Sequence, residues 1–150
     1  MADFTKSSNL GVDTDSMLRC IVLGQGKIAA GEAIGKLDAI YLKSDGKFYK
    51  AVSTVKVDDV VETGTTDFSR SLSGFAGLAY KAYAAGELVT CLGLGAIVDY
   101  ETDMTPGAYA YVSDTAGKLA DAQVATEDLP VAMAIDARRL LVIAAPRIGD

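Results

Sequence analysis

The sequence has no histidine, no tryptophan and only two cysteines, Cys20 and Cys91, among its 150 residues. Without histidine, neither a Ser-His-Asp or Cys-His catalytic arrangement nor an imidazole metal site is available. Two cysteines are too few for a thiolate zinc site or a disulfide framework. Because apolar residues flank each cysteine, we expect both thiols to be buried and unreactive. No metal site is therefore expected.

A hydrophobic run long enough to cross a membrane is also missing. The strongest apolar run, residues 140–145, has the length of a strand, whereas a membrane helix needs about 20 apolar residues. The N-terminal residues lack the basic-then-apolar order of a signal peptide, so we expect the protein to be made in the cytoplasm without export. A membrane is therefore not an expected partner.

The chain lacks a basic cluster as well. It has 14 Lys and Arg residues and 20 Asp and Glu residues, which gives a net charge of −6. The excess of acid lies in residues 82–150, because residues 1–81 have equal numbers of acids and bases. A nucleic-acid-binding protein needs a basic face to displace counterions from phosphates, so nucleic acid is not an expected partner. Arg138 and Arg139 are expected at a hairpin tip or in an ion pair.

Short apolar stretches alternate with turn residues from Cys20 onward, about ten positions apart, which is typical of an all-β sandwich or barrel. The clearest unit is residues 39–51, where two strands flank Asp45 and Gly46. These two residues tolerate the positive φ angles of a two-residue type I′ turn, so we predict that turn here.

Two later regions repeat this pattern. Residues 107–122 have the same order of elements with a longer turn that contains Asp114 and Gly117, and residues 131–143 predict a last hairpin.

Residues 75–83 fit either an alanine-rich helix or a strand interrupted by glycine. We favour the strand, because glycine weakens a helix.

The first 20 residues differ from the rest in being polar and without a sustained apolar period. They form either a frayed terminus or an arm that becomes ordered against another subunit or surface. We therefore divide the chain into an N-terminal arm, residues 1–20, and one domain, residues 21–150. The apolar residues of the arm are Phe4, Leu10, Val12, Met17 and Leu18.

Two motifs suggest enzyme chemistry, and neither is sufficient. Gly24 to Ala29 reads G-x-G-x-x-A after an apolar run, as in a dinucleotide-binding fingerprint, but no alternation of strands and helices follows. Asp99, Glu101 and Asp103 would share one face of a strand. They could begin a calcium site or form a solvated charged face, and we favour the charged face. We therefore expect no cofactor, no small-molecule substrate and no enzyme activity.

Several short elements follow one another along the domain: AGEAI (30–34), AIYL (39–42), DGKFYKA (45–51), FAGLA (75–79), AAGELV (84–89), GAIV (95–98), TPG (105–107), YVSD (111–114), GKL (117–119) and VAMA (131–134). Their order, over about residues 28–145, resembles that of the small capsid decoration (cement) proteins of tailed bacteriophages. The resemblance implies a compact β-barrel-like or β-tulip-like domain of short antiparallel strands and no catalytic residues. It also implies turns at Gly31, Gly46, Gly86, Gly107 and Gly117.

The resemblance further implies a homotrimer on the outer surface of the virion capsid. The trimer would bind the major capsid protein at or near three-fold positions and reinforce the shell. The arm has no counterpart in the family pattern, and our hypothesis is that its five apolar residues dock on capsid protein. The alternatives are a head-fibre or tail-associated β domain that binds a cell-surface receptor, and a small nucleotide-binding enzyme.

Overall fold

Short β-strands dominate the computed structural model of the chain, which describes residues 2–54, 74–124 and 129–144. The prediction of an all-β fold is confirmed. Residue 1, where the predicted arm begins, and residue 150, where the predicted domain ends, lie outside the described residues. The elements are β1 (Gly11–Val12), α1 (Thr14–Met17), β2 (Val22–Ala29), β3 (Ala39–Leu42), β4 (Phe48–Lys50), β5 (Phe75–Ala79), β6 (Leu88–Leu92), β7 (Ile97–Asp99), β8 (Tyr109–Val112), β9 (Leu119–Ala120), β10 (Ala132–Ala134) and β11 (Arg139–Val142).

The strands form two antiparallel sheets. The first has six strands in the order β1-β7-β11-β10-β8-β9, and the second has five in the order β2-β6-β5-β3-β4. Within the described residues both sheets stay open, so the strands do not close into the barrel that was expected. The favoured strand interpretation of the 75–83 region is confirmed for residues 75–79, which form β5.

The larger hydrophobic core contains side chains of both sheets. Leu78 and Leu92 of the five-stranded sheet belong to it together with Val98 and Leu140 of the six-stranded sheet, and all four are fully buried. A smaller core that includes Ile40 lies under the other face of the five-stranded sheet. Both cores follow from the strand period of two, which sends successive side chains to opposite faces.

The hairpin predicted at residues 39–51 is present as β3 and β4, with a different turn. Gly46 has a φ of 83°, but Asp45 is not among the residues with positive φ, so the predicted two-residue type I′ turn is wrong. The N–H of Gly46 donates to the Lys43 carbonyl, and the N–H of Lys43 donates to the Lys47 carbonyl, both at 2.9 Å. This is a three-residue loop with its glycine in the left-handed region.

Glycines serve the other predicted turns in two ways. Gly31 has no positive φ; a Cβ there would lie 2.2 Å from Cζ of Tyr49, so the residue must be small to admit that ring. Asp114 is exposed in the β8–β9 connection, next to the buried Ser113. Positive φ angles of 82° to 89° occur at Gly46, Gly86, Gly107 and Gly117.

The β10–β11 hairpin places the two adjacent arginines at its tip. Oδ1 of Asp136 accepts the backbone N–H groups of Arg138 and Arg139, each at 2.9 Å. Its Oδ2 accepts Nε–H of Arg139 at 2.8 Å, so both predicted roles, hairpin tip and ion pair, are confirmed. The backbone N–H of Arg138 and then the Arg139 side chain lower the pKa of Asp136 to about 2.

We predict that Gly77→Ala destabilises the protein by about 1–3 kcal/mol, because the new Cβ has no room. It would lie 2.3 Å from the carbonyl oxygen of Leu92 and 2.7 Å from Sγ of Cys91. Gly11→Ala is the control, since its Cβ would meet only Oδ2 of Asp99, at 3.6 Å. Urea unfolding measures both free energies. Equal effects of the two substitutions would contradict the close approach at Gly77.

We also predict a pH-dependent stability difference between the wild type and Asp136→Asn. The folded pKa of Asp136, about 2, lies below the usual pKa of aspartate, so its ionised form stabilises the folded state at higher pH. The wild-type advantage should be complete above about pH 4 and disappear as the pH falls towards 2. Thermal unfolding across this range measures it. A difference independent of pH would contradict the assignment.

Candidate functional site

The N-terminal segment, residues 2–20, is fastened to both edges of the six-stranded sheet. Asp3 forms an antiparallel bridge with Ala120 of β9, and the N–H of Phe4 donates to the Leu119 carbonyl at 2.8 Å. Eight residues after Asp3, β1 begins, and it pairs with β7 at the opposite edge. The segment is therefore ordered against its own domain, because it provides partners for backbone groups that a sheet edge leaves unpaired. The sequence led us to expect a frayed terminus or an arm ordered by another surface.

A short helix, α1, fixes the end of this segment. Oδ1 of Asp13 accepts the N–H groups of Asp15 at 2.9 Å and of Ser16 at 3.2 Å, so Asp13 is the N-cap. The Ser16 hydroxyl donates to the Asp13 carbonyl at 2.7 Å and accepts the N–H of Ile97 at 3.0 Å, which ties the helix to β7. No helix was predicted here, although an Asp N-cap followed by an acid in the first turn is its usual signal.

The five apolar residues predicted to contact a partner do not form one surface. Four of them are partly buried, and their side chains pack against the larger core. Leu18 differs from them, since 85% of its surface is exposed at the C-terminal end of α1. The four that contribute to the core are Phe4, Leu10, Val12 and Met17.

Leu18 belongs to a small group of exposed apolar side chains, which we call the apolar patch: Leu18, Ile21 and Leu94. Ile21 is 41% exposed and Leu94 is 37% exposed. The Ile21 N–H donates to the Leu94 carbonyl at 2.9 Å, so these two residues are direct neighbours. Leu18 precedes Ile21 by three residues, which keeps their Cα atoms within about 11 Å. No local sequence signal points to Leu94, because backbone pairing across a long separation brings it beside Ile21.

Two surface cavities lie along the N-terminal segment. Val12 and Met17 line one of about 230 Å³, together with Lys36 and the exposed Tyr80. Phe4 lines another of about 350 Å³, whose other residues include Asp3, Lys6, Asp38, Lys50 and Lys118. In this second cavity both aspartates have internal partners. Asp38 accepts from Lys6 Nζ and from the Gly35 N–H, and Asp3 accepts from the Ser113 hydroxyl.

The described residues contain no group of three or more His, Cys, Asp or Glu side chains that could hold a metal ion. β7 ends at Asp99, so Glu101 and Asp103 lie beyond the strand and the three acids do not share a strand face. Burial raises the thiol pKa of Cys91, which is fully buried, and of Cys20, which is partly buried. Neither thiol has the lowered pKa of a nucleophile.

The glycine motif at residues 24–29 lies within β2, and the next element is the strand β3. The strand–turn–helix context of a dinucleotide site is therefore missing. A Cβ at Gly24 would lie 2.5 Å from the Val89 carbonyl oxygen, and the register between β2 and β6 shifts at this point. These glycines thus accommodate a bulge in the strand.

The turn residue Asp45 takes part in a surface interaction. The Tyr49 hydroxyl donates to Oδ2 of Asp45 at 2.6 Å, which lowers the pKa of Asp45 and raises that of Tyr49. Nζ of Lys43 lies 4.9 Å from the centre of the Tyr49 ring. The three side chains contact one another on the surface of the β3–β4 hairpin.

Two comparisons with known proteins found no match. No protein-family model matches the chain, and no curated protein matches it. A search of the described residues for a helix long and apolar enough to cross a membrane found none. The geometry that is present offers apolar and aromatic contact surface along the N-terminal segment.

We predict that Asp13→Ala destabilises the protein by about 1 kcal/mol, because it removes the side-chain acceptor of the N-cap. Asp13→Asn keeps an acceptor oxygen and should stay close to the wild type. Urea unfolding of the two variants measures the difference. If the alanine and asparagine variants were equally stable, the cap would not contribute to the position of the N-terminal segment.

Proposed function

We propose that this protein decorates the outer surface of a tailed-bacteriophage capsid. In this role it binds the major capsid protein as a homotrimer and bridges capsomers, without enzyme activity. The observation that carries the proposal is the apolar patch, whose most exposed residue, Leu18, is on a segment that the domain itself holds in place. The order of short elements that resembles the decoration family supports it from the sequence.

The energetics of such a role require contact surface and no reactive group. A protein that binds the assembled shell and not its separate parts stabilises the shell by mass action. Complete burial of an exposed leucine side chain such as Leu18 contributes about 1.5–3 kcal/mol. Symmetric repetition of a weak contact in one oligomer strengthens attachment, because the later contacts form intramolecularly.

The ordered N-terminal segment changes how the proposal is tested. Deletion of residues 2–20 would remove β1 and the pairing with β9, so a loss of binding by the deleted protein could not be separated from a loss of stability. A point substitution of an exposed side chain avoids this problem.

We predict that Leu18→Lys weakens binding to undecorated phage heads by at least about ten-fold, which corresponds to about 1.4 kcal/mol. A lysine placed in an apolar contact would have to bury its charge. Leu88→Lys is the matched control, because Leu88 is 55% exposed at the start of β6, the opposite end of that strand from Leu94. Co-sedimentation with heads measures binding, and circular dichroism verifies that each variant is folded.

Wild-type protein that does not sediment with heads would overturn the proposal and favour the receptor-binding alternative. Equal binding by the Leu18 and Leu88 variants would show that the apolar patch does not contact the capsid. Cryo-electron microscopy of the decorated heads tests the lattice position, with density expected at or near the three-fold positions.

A further inference from the structure

The outer face of the six-stranded sheet has an uninterrupted row of apolar side chains across four strands. In the strand register, Ile97 of β7 is paired with Leu141 of β11, and Leu141 with Met133 of β10. Met133 is in turn paired with Tyr109 of β8. Paired residues of antiparallel strands point to the same face, so these four side chains are neighbours. We call them the outer-face row.

The alternation of burial shows that this row points away from the core. Val98, Leu140 and Ala110, which alternate with row residues along their strands, are fully buried. The row residues themselves are partly exposed, and Tyr109 is 49% exposed. A sheet with one face on the core normally has polar side chains on the other. The row departs from that rule over a width of about 14 Å, at about 4.8 Å per strand.

Charges of both signs lie beside the row. Asp99 and Arg139 are paired in the register next to Ile97 and Leu141. Arg139 also pairs with Asp136 in the adjoining turn, and the exposed Arg138 lies between them in sequence. At the other end of the row, the N–H of Asp13 donates to the Ile97 carbonyl at 2.9 Å. The rim therefore has three acids and two bases.

We propose that the outer-face row is the surface through which copies of this chain contact each other. Two molecules of charge −6 repel at most orientations, and a rim with both signs lets an acid of one copy meet a base of the other. A strongly basic or strongly acidic partner would meet an excess of only one acid here. Tyr109 supplies the kind of amphipathic aromatic side chain that contributes most at protein interfaces.

This inference deepens the homotrimer of the proposed function and depends on that function only for the number of copies. The experiment therefore uses the full chain in solution without phage heads. Sedimentation velocity over a concentration series gives the mass of the assembly and its dissociation constant.

Tyr109→Lys and Met133→Lys should each weaken self-association by at least about ten-fold, whereas Leu88→Lys should leave it unchanged. Tyr109→Lys is the safer of the two for folding, because Tyr109 is the most exposed residue of the row. Circular dichroism and thermal unfolding verify each variant. Arg138→Glu, at an exposed turn position, replaces a positive charge of the rim with a negative one and should also weaken association.

Three results would overturn the inference. The first is a wild-type protein that stays monomeric at about 100 μM. The second is association of the row variants like that of the wild type, and the third is an equal weakening of association by Leu88→Lys. An unchanged dissociation constant for Arg138→Glu would remove the charge argument for a second copy. A dimer that the row variants dissociate would support the inference and contradict the trimer of the proposed function.

Discussion

The structure depends on the N-terminal segment, which pairs with a strand at each edge of the six-stranded sheet. An open sheet presents unpaired N–H and C=O groups at each edge, and such edges attract other strands. Asp3 pairs with β9 and Gly11–Val12 pair with β7, so residues 3–12 reach both edges. The cap at Asp13 and the hydrogen bonds of Ser16 continue this attachment into α1. The position of Leu18 at the end of the helix follows from it.

This attachment affects which residues are available for contact with other molecules. Most apolar residues of the N-terminal segment pack against the protein's own core. The apolar surfaces available for such contacts are the apolar patch at Leu18 and the outer-face row on the sheet. In the assembly that we propose, the patch contacts capsid protein and the row contacts other copies of the chain.

Much of the fold could be predicted from the sequence, because its signals are local. The hairpins at residues 39–51 and 131–143 and the strand at 75–79 follow from alternating apolar residues and turn residues. The turn at Asp45 and Gly46 was mistaken in type, since only Gly46 adopts a positive φ. The N-terminal segment could not be placed, because its sparse apolar residues have no period and its partners, such as Leu119, lie more than 100 residues away.

By itself the sequence determined an all-β chain without histidine chemistry, with its acidic excess in residues 82–150. These properties depend on composition and on a period of two that neighbouring residues carry. Only the tertiary structure decided that Ile97, Leu141, Met133 and Tyr109 lie side by side. Strand order and register decide it, and a shift of one residue in any of these strands would turn its side chain into the core.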